Sequence, residues 1–176
     1  ACIWALLPLG NAVYFALVPI RPVVEERRRM PVRSLFGQKL FWLFLLMMLC
    51  AGASEQGMSQ WASAFAQSGL GVNKAMGDLA GPCAFAVLMG TSRALYGKYS
   101  DRMPLRAVMM ASAVLCIACY ATAAMSGNVL LALAGCALCG FSVGIFWPGT
   151  FSTAVPALPG GGTAMFALLA LAGDLG

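Results

Sequence analysis

The sequence predicts an all-α protein, a multi-span transmembrane helical bundle, on three observations. From Ala107 to Gly173 it carries no Lys, Arg, Asp, Glu or His, a run too long for a soluble core helix when a bilayer crossing needs only about 20 apolar residues. Of all residues 61% are hydrophobic and 10% charged, where a soluble domain carries about 25% charge, and the mean hydropathy is +0.84. The apolar segments also lack the polar alternation of barrel strands. Backbone in lipid must satisfy its own polar groups, so each segment is assigned to a helix.

Six segments follow in order. The first runs from Cys2 to Ile20 and stops at Arg21. The second, Leu40 to Ala66, is apolar in its first half and turns polar from Ser54. The third, Asp78 to Tyr96, opens on a residue type that starts helices. Pro104 to Met125 and Asn128 to Pro148 come next, separated by a turn at Gly127. Within the latter, Gly135 and Gly140-x-x-x-Gly144 read as close helix packing, and Pro148 is expected to kink or end the span. The sixth starts at Gly162 and is cut short. The chain begins without a Met and stops inside an apolar run, so it reads as an excerpt of something longer, with no recognisable signal peptide.

The formal charge is +5, and ten of the eleven basic residues lie between Arg21 and Lys39 or between Arg93 and Arg106. Basic residues gathered in alternate loops mark the cytoplasmic side, not a nucleic-acid patch. The first loop holds Arg21, Arg27, Arg28, Arg29, Arg33 and Lys39 against Glu25 and Glu26; the second holds Arg93, Lys98, Arg102 and Arg106 against Asp101. Loops 21–39 and 97–106 are therefore expected in the cytoplasm of a multi-pass cell-membrane protein. The stretch around Ser68 to Gly77, with only Lys74, and the turn at Gly127 fall outside; Pro156 to Gly162 returns inside.

In the second basic turn, Gly97 lets the helix end and the chain bend, Asp101 can accept hydrogen bonds from helix N-terminal amides, and Arg102 and Arg106 hold the cytoplasmic face. Such a cluster either latches one helix end to another or only anchors the topology. Gly-x-x-x-Asp-Arg followed by a basic residue, here Gly97, Asp101, Arg102 and Arg106, resembles the signature loop of the major facilitator superfamily. Pro104 and Leu105 stand where that family has Gly and a basic residue, as in a degenerate second copy. The resemblance implies that residues 1–20 end the N-terminal half as its sixth span, that 21–39 form the cytoplasmic loop between halves, and that 40–176 form a partial C-terminal bundle of spans seven to eleven. It implies a partner in the missing N-terminal half, a site near the midplane between halves, and a latch that biases the two facing states. A second likeness, through the polar seventh span and Gly144-Ile145-Phe146-Trp147-Pro148-Gly149, is to the fucose and sugar proton-symporter branch. It implies secondary transport of a small solute, a sugar or other polar organic molecule, by alternating access with proton coupling.

The candidate site lies in the second segment. Gln56, Ser59, Gln60, Ser63 and Gln67 share one helical stripe. Facing lipid would be costly for these amides and hydroxyls, so the stripe should face protein or water. Gly52 and Gly57 are placed to allow a bend, as in discontinuous transporter helices. Glu55 lies about 22 Å of helix beyond Leu40. An intramembrane carboxyl of this kind either binds substrate hydroxyls, carries the coupled proton, or sits near the outer interface, where it pairs with a basic residue of the missing half and only stabilises packing. Trp61 offers a ring for a sugar to lie against. Asp174 is the second candidate for proton coupling, and Trp147 is either a substrate contact from the second half, with Ser142 and Thr150 near it, or an interfacial anchor.

Cys116-x-x-Cys119 and Cys136-x-x-Cys139 have zinc-site spacing, yet they sit in apolar helix without supporting charge, so they are read as small buried residues and no metal is expected. Gly69-x-Gly71-x-x-Lys74 follows no strand and is not a phosphate loop. Nothing points to a cofactor. With no His and no paired carboxylates within its apolar segments, an integral-membrane enzyme is the weaker rival; a transport-inactive scaffold or receptor is the other.

Overall fold

The computed structural model describes residues 2–19, 30–70, 73, 75 and 79–176. Among them the chain is helical without a strand. Helix α1 (Cys2–Leu17) is exposed over its described side chains. A short α2 (Val32–Phe36) starts after Pro31, whose extended backbone precedes the first turn. Then α3 (Lys39–Leu70) runs unbroken for 32 residues, about 48 Å. It exceeds the expected Leu40 to Ala66 at both ends.

A π-helical turn (Leu79–Cys83) containing Pro82 leads into α4 (Ala84–Tyr99). A 3₁₀ turn, Ser100–Arg102, closes α4, and Met103 is extended before Pro104, as the residue preceding a proline must be. Helix α5 (Leu105–Met125) follows. Asn128 then caps α6 (Val129–Val143), its Oδ1 accepting from the backbone N–H of Leu130 at 2.9 Å and of Leu131 at 3.4 Å. After a break at Gly144–Ile145 the chain continues as α7 (Phe146–Ala157), and a turn with Gly160 at φ 93° leads into α8 (Gly162–Leu175).

Two expectations need correction. Pro148 does not end its span: it falls in the first turn of α7, and the helix breaks at Gly144, four residues earlier, whose carbonyl the missing N–H leaves without a helical donor. Gly97 does not end its helix either. It lies inside α4, and a Cβ added there would meet nothing within 4 Å.

Helix α3 is the spine of the bundle. On one side Met58 and Ala62 join Phe85 of α4, Cys116, Cys119 and Ala123 of α5, and Cys136, Cys139 and Val143 of α6 in one apolar cluster. Phe41, Phe44 and Met48 join Leu35 of α2 with Ala154 of α7, Leu158 just after it, and Met165 and Leu169 of α8 in another. Close approach depends on glycine at two crossings. A Cβ on Gly140 would overlap the Phe85 backbone, and one on Gly52 would overlap the Gly173 carbonyl. Gly52 therefore serves packing, and α3 stays helical through Gly52 and Gly57 without the discontinuity expected there.

The end of the first basic loop is also ordered. Leu35 is fully buried, Phe36 lies edge-on to Phe41 at 5.5 Å, Trp42 Nε1 donates to the Phe36 carbonyl at 2.9 Å, and the Met30 N–H donates to the Gly160 carbonyl at 2.8 Å. Residues 21–29, Lys74 and Asp78 lie outside the described residues.

Among the described residues three helical stretches are long and apolar enough to cross a membrane: Lys39–Gln60, Leu105–Met125 and Leu130–Ala157. Only 17% of the second is buried inside the bundle. Its remaining apolar surface, Val114 and Ile117 included, needs a nonaqueous neighbour. Helix α4 is shorter, but its 16 residues and the 5 of the π turn together reach about 31 Å, one bilayer core.

Candidate functional site

The polar half of α3 presents two faces, and the structure gives each a different partner. On one face, Glu55 Oε2 lies 3.3 Å from Nη2 of Arg93, with the carboxylate side chain 22% and the guanidinium 43% exposed. The same guanidinium donates through Nε to the Gly144 carbonyl at 3.4 Å. Arg93 is therefore no loop residue: it lies six positions before the end of α4. Adjacent to Glu55, Ser54 turns its hydroxyl to the Cys50 carbonyl at 2.7 Å, and its own carbonyl accepts from the Tyr120 hydroxyl of α5 at 2.8 Å. Neither Arg93 nor Tyr120 is marked as a partner by any local pattern. Only helix adjacency, which the one-dimensional pattern does not encode, brings them to α3.

On the other face, Gln56 and Gln60 line a polar cleft of about 430 Å³ together with Ala53, Gly57 and Asp174. Gln60 Nε2 donates to Gln56 Oε1 at 2.9 Å, and the Ser59 hydroxyl donates to the Gln56 carbonyl at 3.4 Å. The cleft forms because Gly52 and Gly173 let α3 and α8 touch just before Asp174. The amide pair leaves donors and acceptors free toward the cleft, and Asp174 adds a carboxylate. The side chains of Trp61, Ser63 and Gln67 lie outside the described residues.

A second cavity of about 390 Å³ opens between α3, α5 and α7. Met47, Cys50, Met109 and Cys116 are among its apolar lining, with Ser54 and buried Thr150 as its polar members. Trp147 lines neither cavity. Its indole packs on Gly173, where a Cβ would sit 2.6 Å from the ring, and on Phe151 at 6.3 Å between centroids, and its buried Nε1 has no hydrogen-bond partner among the described residues. Ser142 is fully buried and turned back to the Cys139 carbonyl at 2.7 Å.

The candidates of the 97–106 turn stand apart from both cavities. Asp101, Arg102 and Arg106 are exposed. Asp101 does not cap α5, whose N-cap is Pro104 with no side-chain bond. The four cysteines of α5 and α6 are buried in the apolar cluster, with Cys116 and Cys139 sulfurs 4.0 Å apart. Among the described residues no group of three or more His, Cys, Asp or Glu side chains is gathered to hold a metal ion.

The Major Facilitator Superfamily profile matches residues 1–176. No curated protein and no solved structure matches the chain. The profile covers the full length of an all-helical bundle whose apolar helices suit a bilayer, so the chain belongs to the major facilitator superfamily, whose members are membrane transporters of small solutes.

Proposed function

We propose that the protein is a proton-coupled secondary transporter of a sugar or similar polar organic molecule, working by alternating access in the cell membrane. The observation that carries this reading is the placement of two carboxylates. In helices α3 to α8 the acidic residues are Glu55 and Asp174 alone, and they flank the same stretch of α3. One is neutralised by Arg93; the other faces two amides across a polar cleft. Ionisable groups are expensive inside a membrane and mark substrate or proton pathways.

In this reading Gln56 and Gln60, with Ser59, Trp61 and Ser63 along the same helix, bind hydroxyls of the substrate. Glu55 and Asp174 are the proton-coupling groups, and Trp147 backs the cleft by packing on Gly173. A missing N-terminal half completes the site, with residues 1–20 as its last span, 21–39 as the cytoplasmic connection and 40–176 as spans seven to eleven. The 97–106 turn also lies in the cytoplasm, where Gly97, Asp101, Arg102 and Arg106 latch one facing state.

The test is counterflow and pH-driven uptake of a panel of labelled neutral sugars, L-fucose included, by the full-length protein in proteoliposomes. Glu55→Gln or Asp174→Asn is expected to abolish accumulation against a gradient while leaving exchange. If both variants still accumulate sugar, neither carboxylate carries the proton. Absence of any exchange would favour a transport-inactive scaffold or receptor.

A further inference from the structure

We propose that Arg93 is a positioning residue that ties the charge on Glu55 to the angle of the break between α6 and α7. Pro148 has no N–H, so the carbonyl four residues before it, that of Gly144, lacks its usual helical donor. Arg93 Nε supplies one at 3.4 Å, and its Nη2 reaches Glu55 at 3.3 Å. One planar guanidinium, with its donors in a fixed fork, holds α3 and the broken span together.

The break is pressed against the helix that carries Arg93. A Cβ on Gly144 would lie 2.9 Å from the Met89 carbonyl oxygen and 2.9 Å from Ser92 Cβ. One turn further along α4, the Tyr96 hydroxyl donates to Ser152 Oγ of α7 at 2.7 Å. Helix α4 thus grips the span at its break and again beyond it. Helix α7 carries Phe146 and Thr150 into the apolar cavity and Trp147 onto Gly173, next to Asp174. A change of angle at Gly144–Ile145 therefore moves a wall of one cavity and the backing of the other.

The charge on Glu55 sets the grip. While Glu55 is ionised, the guanidinium is held between carboxylate and carbonyl. Once Glu55 is neutral, an unpaired cation in an apolar span is drawn to water and releases Gly144. Among the described residues, the charged group facing Glu55 is Arg93 of α4. Tyr120 of α5 binds the neighbouring Ser54 carbonyl, Cys116 and Cys139 lie on the Ser54 side, and Asp174 of α8 lies across the Gln56 and Gln60 face. The proposal rests on the reading of Glu55 as the group that takes up the proton.

The experiment measures the distance between spin labels on Leu130→Cys and Val155→Cys, at exposed positions of α6 and α7, in the full-length reconstituted protein with Cys2 and the exposed Cys50 and Cys83 changed to Ser. Arg93→Ala and Glu55→Gln are each expected to shift or broaden the distance distribution. Pro148→Ala restores the missing N–H and should narrow it toward about 37 Å, the length of straight helix between the labels. In the Pro148→Ala background, Arg93→Ala should then change nothing further. Equal effects of Arg93→Ala in both backgrounds, or no effect of Glu55→Gln, would overturn the proposal. If Arg93→Ala fails to fold, Arg93→Lys, which keeps the charge but lacks the fork, is read by the same criteria. The distances require no substrate. A protein that exchanges no sugar yet shows this non-additivity keeps the Arg93 clamp and loses the transport reading; active transport with additive distances does the reverse.

Discussion

At the scale of single residues, the energetics of the Glu55–Arg93 pair are asymmetric. Removing one partner strands a charge in apolar surroundings, whereas removing both leaves ordinary packing. Arg93→Ala is therefore expected to lower the melting temperature in detergent, and Glu55→Gln combined with Arg93→Ala to recover part of that loss. A double variant no more stable than Arg93→Ala would show that the carboxylate gains nothing from its partner. Gly97 gives a second test. Its place inside α4, with open space where a Cβ would go, predicts that Gly97→Ala keeps or raises stability, by about 0.5–1 kcal/mol from the backbone term. Transport should fall if Gly97 belongs to the latch. Stability and transport both unchanged would leave Gly97 without a part in it.

At the scale of elements, what the sequence made legible were properties of a helix taken alone. The spans could be read because transfer into lipid depends on composition, and the Gly140-x-x-x-Gly144 packing because a small-residue ridge is local. What escaped depends on register or on neighbours. The span runs past Pro148 to Ala157, and the break falls one turn earlier, at Gly144, because a proline disrupts the bond to the carbonyl four residues before it. Arg93 sits in sequence beside Lys98 and Arg102, so counting assigned it to the loop, although α4 extends to Tyr99. Helix α2 has only 5 residues, too few to show a period. The glycine crossing carries the prediction for this scale. Gly140→Val places a branched side chain onto the Phe85 backbone and should part α4 from α6 at a cost of about 1–3 kcal/mol or more. Gly90→Ala on the same α4, where a Cβ meets nothing within 4 Å, is the control. Thermal unfolding of the two proteins measures the difference, and equal midpoints would refute the close α4–α6 contact.

At the scale of the whole molecule, the candidate site was half legible. The polar stripe and both carboxylates were visible as anomalies in apolar sequence, but their division between two faces of α3 required the positions of α4 and α8. Orientation is a property of the entire chain, and the structure shifts the charge count on which it rests. With Arg93 assigned to the interior of α4, the connection and the helix turns that flank it keep Lys98, Arg102 and Arg106 against Asp101. Three basic residues in and beside so short a connection still outweigh the uncharged turn at Gly127 on the other end of α5, so the positive-inside bias is kept. The 21 residues of α5 reach about 31 Å, which puts its two ends on opposite sides of the bilayer. Cysteines introduced one at a time at Gly127 and Ser100, in a background with Cys2, Cys50 and Cys83 changed to Ser, turn this into a measurement, because a Cβ at Gly127 is unobstructed. On intact cells a membrane-impermeant maleimide should label Gly127→Cys at once and Ser100→Cys only after permeabilisation. The reverse pattern would invert the bundle and place Asp101 and Arg102 outside, where a cytoplasmic latch cannot operate.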